Sequence, residues 1–147
     1  MKMMFSSIGA ACVLALLVAS PSPALAHHAF AAEFDATSPI TLTGTITKVE
    51  RVNPHGWIYV DVKGADGKVA NWAVETGAPT ALAKAGITRD SIPLGQVVVI
   101  TGYRAKDGSN TINGNKIKFP DGRDLSLGSS GTGAPYDKPA NGTAPAR

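Results

Sequence analysis

Three histidines are the residues in this chain whose type and placement suggest chemistry. His27 and His28 stand together in the stretch HHAFAAEFD, and His55 lies in VNPHGWIYV. Ala24-Leu25-Ala26, a small-x-small triplet, precedes His27 directly. Cleavage after Ala26 would make His27 an N-terminal residue. Its α-amine and imidazole would then chelate one metal together, and a third nitrogen would complete a site suited to Cu(II). Imidazole suits copper and zinc, and copper stands at the top of the divalent affinity order. The sequence therefore predicts a copper site built from His27 and His55, with His28 as support. Glu33 and Asp35 are nearby oxygen donors for a harder metal. The spacing is no known zinc signature. The competing reading makes His27 and His28 the start of a mobile arm and His55 a turn residue after Pro54. In that reading Phe30 and Phe34, at helical spacing, pin the arm to the domain.

The metal reading depends on export. Lys2 supplies a charged start, and the apolar run from Ile8 to Ala19 follows it. That run is short of the roughly 20 residues a membrane helix needs. Ser20, Pro21 and Pro23 then break the pattern ahead of Ala26. Together these features predict a secretory signal over 1–26, cleaved after Ala26, and a periplasmic protein. The single cysteine, Cys12, falls inside the signal, so the mature chain would carry neither disulfide nor thiolate chemistry. No second apolar run is long enough to span a membrane. The formal net charge of +3 is too small and too dispersed for a nucleic-acid binder.

The elements that must hold His55 follow from the alternation of side chains. Residues 40–52, ITLTGTITKVERV, read as a long strand, with Gly44 marking a bulge or bend. The NPHG stretch is a turn by its chemistry. WIYVDVK is a second strand, GADGK a hairpin connection and VANWAVE a third strand. APTALAKAG reads as a short helix ending at Gly86. QVVVITGYR and TINGNKIKF are two further strands, and DLSL is a candidate short final one. Three strands, a helix and two strands predict an all-β fold, a five-stranded OB-like Greek-key barrel with one short helix between strands 3 and 4. An open sheet packed on a helix is the alternative. The organisation is then a signal over 1–26, an arm over 27–39, the domain over 40–127 and a disordered tail over 128–147. The tail is rich in Gly, Pro, Ser and Ala and has little to bury.

Alternation turns Ile58, Val60 and Val62 inward and gives Trp57, Tyr59 and Asp61 the opposite face. Trp72 shares the inward parity of Val74. Exposed rings stack on flat ligands, so Trp57 and Tyr59, with Arg104 where strand four meets the loop to strand five, form a second candidate site for a sugar, a peptide or an envelope protein. Packing of Trp57 under the arm or the helix is the competing reading, as is a solvated loop for Arg104, Lys106 and Asp107. No nucleophile elbow, phosphate loop or dinucleotide fingerprint is present. Carboxylate pairs drawn from Glu50, Asp61 and Glu75 are of a kind any small domain offers, so no catalytic residue is assigned. A binding protein is favoured over an enzyme, with a copper-dependent oxidative enzyme as the third reading.

The stretches HHAFAAEFD, LTGTITKVERVNPHGWIYVDV, NWAVETGAP and ITGYRAKDGSNT together resemble a family of small exported bacterial proteins built on a domain of unknown function. The resemblance runs from His27 to about Leu127. It implies a periplasmic location and a small β-barrel, and it brings no established activity.

Overall fold

The computed structural model describes residues 30–128 and 133–136. Strand β1 spans Phe34–Arg51, β2 Gly56–Lys63, β3 Val69–Thr76, β4 Val97–Ala105, β5 Thr111–Lys118 and β6 Asp124–Ser126. Helix α1, Pro79–Lys84, lies between β3 and β4, followed by a short 3-10 turn at Arg89–Ser91. The protein is thus mainly β, as alternation predicts. Six strands are present among the described residues rather than five, because DLSL does form a strand. Its backbone pairs Lys116 with Ser126 and Lys118 with Asp124.

The sheet order is β3-β2-β1-β4-β5-β6, with β3 also pairing with β5. Sequential neighbours are antiparallel, whereas Ala73, Val74 and Glu75 meet Thr111, Ile112 and Asn113 in parallel. The first five strands therefore form a closed ring of pairings. Strand β1 makes this possible by serving two partners. Its first part pairs with β4, from Phe34 opposite Ala105 to Thr45 opposite Val97. Its later part pairs with β2, from Gly44 opposite Val62 to Arg51 opposite Gly56. The strand begins at Phe34, not at Ile40.

Gly44 marks a close approach rather than the irregular step. A Cβ there would sit 2.6 Å from the Asp61 carbonyl oxygen. The register shift in the β1–β2 ladder falls instead between Ile46 and Lys48, and an extra residue of this kind sharpens local twist.

Inward parity holds as the alternation requires. Ile46, Ile58, Val60, Val74, Ile100, Ile112, Ile117 and Leu127 are fully buried in one apolar cluster. Trp72 joins them, and Leu82 of α1 and Ile87 cover one end. A second, smaller cluster lies on the outer face, where Phe30, Phe34 and Ala134 are buried against Tyr103, Ala105 and Tyr136. Among the described residues no helix is long and apolar enough to cross a membrane.

Candidate functional site

A row of side chains crosses the outer face of the sheet. Trp57 on β2 stands directly opposite Glu75 on β3. Glu75 is paired with Asn113 on β5, and Asn113 with Tyr103 on β4. Residues paired across strands share a face, so the ladder alone brings four residues from distant parts of the chain into contact. An outer-face row would ordinarily be solvated. This one is covered, and Glu75 and Asn113 are both buried.

The cover comes from two segments flanking the sheet. Residues 30–33 form a helical turn before β1. The Lys106 backbone N–H donates to the Glu33 carbonyl at 2.9 Å, and the Lys106 ammonium donates to the Ala31 carbonyl. Phe30 packs on Phe34 and meets Tyr103 edge to face, each at 5.7 Å between centroids. From the other end of the chain, Tyr136 stacks on Tyr103 at 6.2 Å. The Tyr136 hydroxyl donates to Asn113 Oδ1.

Glu75 is the focus of this arrangement. Its Oε1 accepts a hydrogen bond from Asn113 Nδ2 at 3.2 Å. The same oxygen lies 3.4 Å from His55 Nδ1. His55 occupies the turn between β1 and β2, after a cis Asn53–Pro54 peptide. Gly56 anchors that turn by donating its N–H to the Gly77 carbonyl at 3.2 Å. The imidazole is 36% exposed, against 9% for the Glu75 side chain, so one edge of the ring meets the carboxylate and the rest reaches solvent. Burial pushes the Glu75 carboxyl above the usual carboxylate range. The charge of His55 pulls it back, the charge of Glu33 raises it, and the Asn113 hydrogen bond lowers it. A buried acid facing a half-exposed imidazole, itself fixed by an amide, is a constellation that orients a histidine.

The residues singled out from the sequence are distributed as follows. His55 is in this site. His27 and His28 lie outside the described residues, three and two positions before Phe30. Among the described residues no group of three or more His, Cys, Asp or Glu side chains is placed to hold a metal ion.

Trp57 lines an open groove of about 520 Å³ with Glu33, Phe34, Lys106, Asp107, Ser109 and Thr111. Tyr59, on the same face, is engaged elsewhere. Its hydroxyl donates to Glu50 Oε2 at 3.0 Å, and the Lys48 ammonium lies 5.3 Å from its ring centre. Lys48 also pairs with Glu50. Burial first, then the bond to Glu50, raises the Tyr59 phenol above its ordinary range.

Arg104 is not in a loop, because β4 runs through it to Ala105. It has the inward parity of Val98 and Ile100, and its guanidinium lies 5.2 Å from the centre of the Trp72 ring. Neither it nor Tyr59 lines the groove beside Trp57.

Sequence reasoning passed over Glu75 as one of several generic carboxylates and assigned nothing to Asn113 or Tyr136. The available signal for Tyr136 was its being a lone aromatic in a Gly- and Pro-rich segment. For Glu75 it was a parity shared with Trp57.

No curated protein and no solved structure matches the chain. A sequence-family profile does, over residues 14–114, and the chain belongs to that family of unknown function, DUF6152.

Proposed function

We propose that this chain is an exported binding protein that takes copper through His55 and the histidines of its N-terminal arm. The observation that carries the reading is the docking of the arm. The helical turn 30–33 is fastened just past the end of β4 by Lys106, and Glu33 lines one groove with Trp57, which stands opposite Glu75, the carboxylate beside His55. The arm therefore runs over the face that holds His55. His28 is two residues from Phe30, within about 7 Å of it along the chain. Cleavage after Ala26 exposes the His27 amine and gives a nitrogen-rich donor set. The ring of pairings among β1 to β5, with α1 between β3 and β4, supports the OB-like reading of the sheet. In OB-folds the connection between the first two strands flanks the ligand site, and His55 lies in that connection.

The test is a Cu(II) titration of the exported, processed protein followed by electron paramagnetic resonance. A nitrogen-rich spectrum lost in both His27→Ala and His55→Ala is the expected result. A spectrum unchanged in His55→Ala removes the reading.

The groove beside Trp57 favours a second reading, an interaction module for a sugar, a peptide or an envelope protein. Its lining sets the Trp57 indole beside the polar and charged side chains of Glu33, Lys106, Asp107 and Ser109, a mix that suits a flat polar ligand. Here Trp57→Ala abolishes capture of the partner and His27→Ala does not. Tyr59 and Arg104, engaged with Glu50 and Trp72, contribute little to it.

A further inference from the structure

A histidine that binds a metal through one ring nitrogen usually donates its other N–H to a carboxylate or carbonyl. That contact fixes the tautomer and raises ligand basicity. In this protein the nitrogen facing a carboxylate is His55 Nδ1, 3.4 Å from Glu75 Oε1. Glu75 does not stand alone. Its Oε1 is bonded by Asn113 Nδ2, and Asn113 Oδ1 is bonded by the Tyr136 hydroxyl. The two ends of the Asn113 amide are thus assigned by their partners. An ionised carboxylate only accepts, so it takes the NH₂ and leaves the amide oxygen to the Tyr136 hydroxyl.

Tyr136 owes its place to local features of its own. Its ring stacks on Tyr103, Ala134 is buried beside Phe30 and Phe34, and Gly128 leaves the necessary space. A Cβ on Gly128 would lie 2.1 Å from the Tyr136 ring.

From these contacts we infer that Glu75, Asn113 and Tyr136 are positioning residues for His55. They hold its Nδ1 protonated toward Glu75 and present Nε2 as the donor atom. The segment carrying Tyr136, far downstream of the sheet's histidine turn, thereby tunes the affinity of the site. The donor half of this inference rests on the copper reading above; the tautomer half does not.

Two measurements separate them. The first is nitrogen NMR of the His55 ring in the metal-free protein, at a pH where the ring is neutral. The wild-type chain should show a protonated Nδ1 and a bare Nε2. Glu75→Gln should mix the tautomers. Tyr136→Phe, which keeps the stack and deletes only the hydroxyl, should move them the same way by less. Gly128→Ala, which evicts the ring without altering any member of the relay, should match Tyr136→Phe. If Glu75→Gln does not fold, the other two variants carry the test.

The second measurement is Cu(II) affinity of the same proteins beside His55→Ala. Glu75→Gln should weaken binding roughly 10–100-fold, as loss of such a carboxylate does elsewhere. Tyr136→Phe should weaken it about 2–10-fold, the scale of one neutral hydrogen bond. A wild-type ring protonated on Nε2 overturns the inference, as does a tautomer unmoved in all three variants. If His55→Ala alone abolishes copper binding, the copper reading survives that failure. If His55→Ala binds copper like wild type, the copper reading and the assignment of Nε2 as donor both fall, whatever the tautomer.

Discussion

The two faces of β3 are built on opposite terms. Inward, Trp72 and Val74 meet a continuous apolar cluster drawn from every strand of the ring, and Val74 is wholly buried. Outward, Glu75 is buried almost as well, on a face whose own small cluster is drawn from the ends of the domain, the arm with Phe30 and the segment with Tyr136. Removing the inner face from water drives folding of the sheet itself. The outer cover is a separate, smaller cluster, so local opening there with the sheet intact is the expected behaviour.

That contrast can be tested by breaking each face in turn. The largest effect is expected inside. Ile112 is fully buried and pairs with Val74 across the parallel β3–β5 junction. Ile112→Ala should cost about 2–5 kcal/mol of global stability, read by denaturant unfolding. A loss confined to the outer face would contradict the division drawn here.

Phe30→Ala attacks the cover. Exposing this buried ring should cost roughly 1.5–3 kcal/mol, but locally. Hydrogen exchange should accelerate at the Lys106 amide, which the arm's Glu33 carbonyl holds, while the Val74 and Ile112 amides keep their protection. Equal acceleration at all three would make the arm part of the core.

A smaller effect is expected at Arg104. Its guanidinium over Trp72 should be worth about 0.5–1 kcal/mol. Arg104→Ala should lower the melting temperature slightly and leave Cu(II) affinity at the wild-type value. A change in affinity would tie the Trp72 end of the molecule to the His55 site.

The smallest effect concerns the exposed Lys116–Asp124 pair, 3.0 Å apart on β5 and β6. Its hydrogen bond from Lys116 holds the Asp124 carboxyl below its ordinary range. A depressed carboxyl contributes stability above its unfolded value and loses it as pH falls through the lower folded value. Solvent screens this pair. Asp124→Asn should leave the neutral-pH melting temperature unchanged within error and differ from wild type only in how melting responds to acid.

Much of the sheet was legible in the residues. The period-2 alternation of VANWAVE and WIYVDVK assigned Ile58, Val60, Trp72 and Val74 to one face, where they are found. Asp66-Gly67 marked the β2–β3 hairpin, and the switch from alternation to APTALAKAG marked α1. Boundaries were less legible. Phe34 to Pro39 read as an arm, yet the first stretch of β1 lies there, because its pairing partner, β4, comes some sixty residues later in the chain. Arg104 read as the boundary of strand and loop, whereas its pairing with Ile112 on β5 and that of Ala105 with Phe34 on β1 carry β4 past it.

Of the candidate site, the sequence picked out His55 and the aromatic parity of Trp57. It did not pick out the carboxylate beside that histidine. Alternation states which face a side chain takes, and Val74 inward implies Glu75 outward; that Glu75 stands opposite Trp57 follows from the pairing of β2 with β3. Alternation is silent on what covers that face, because the cover is contributed by segments remote in the chain. The parallel β3–β5 pairing brings Asn113 to Glu75 across 38 positions, and Tyr136 reaches Asn113 across a further 23.

What the sequence determined by itself is local: strand periodicity, turn chemistry, and the identity of the three histidines. What only the tertiary structure decided is which polar group on the outer face loses its water. Desolvation depends on everything within a few ångströms, whereas sequence pattern reports only neighbours along the chain.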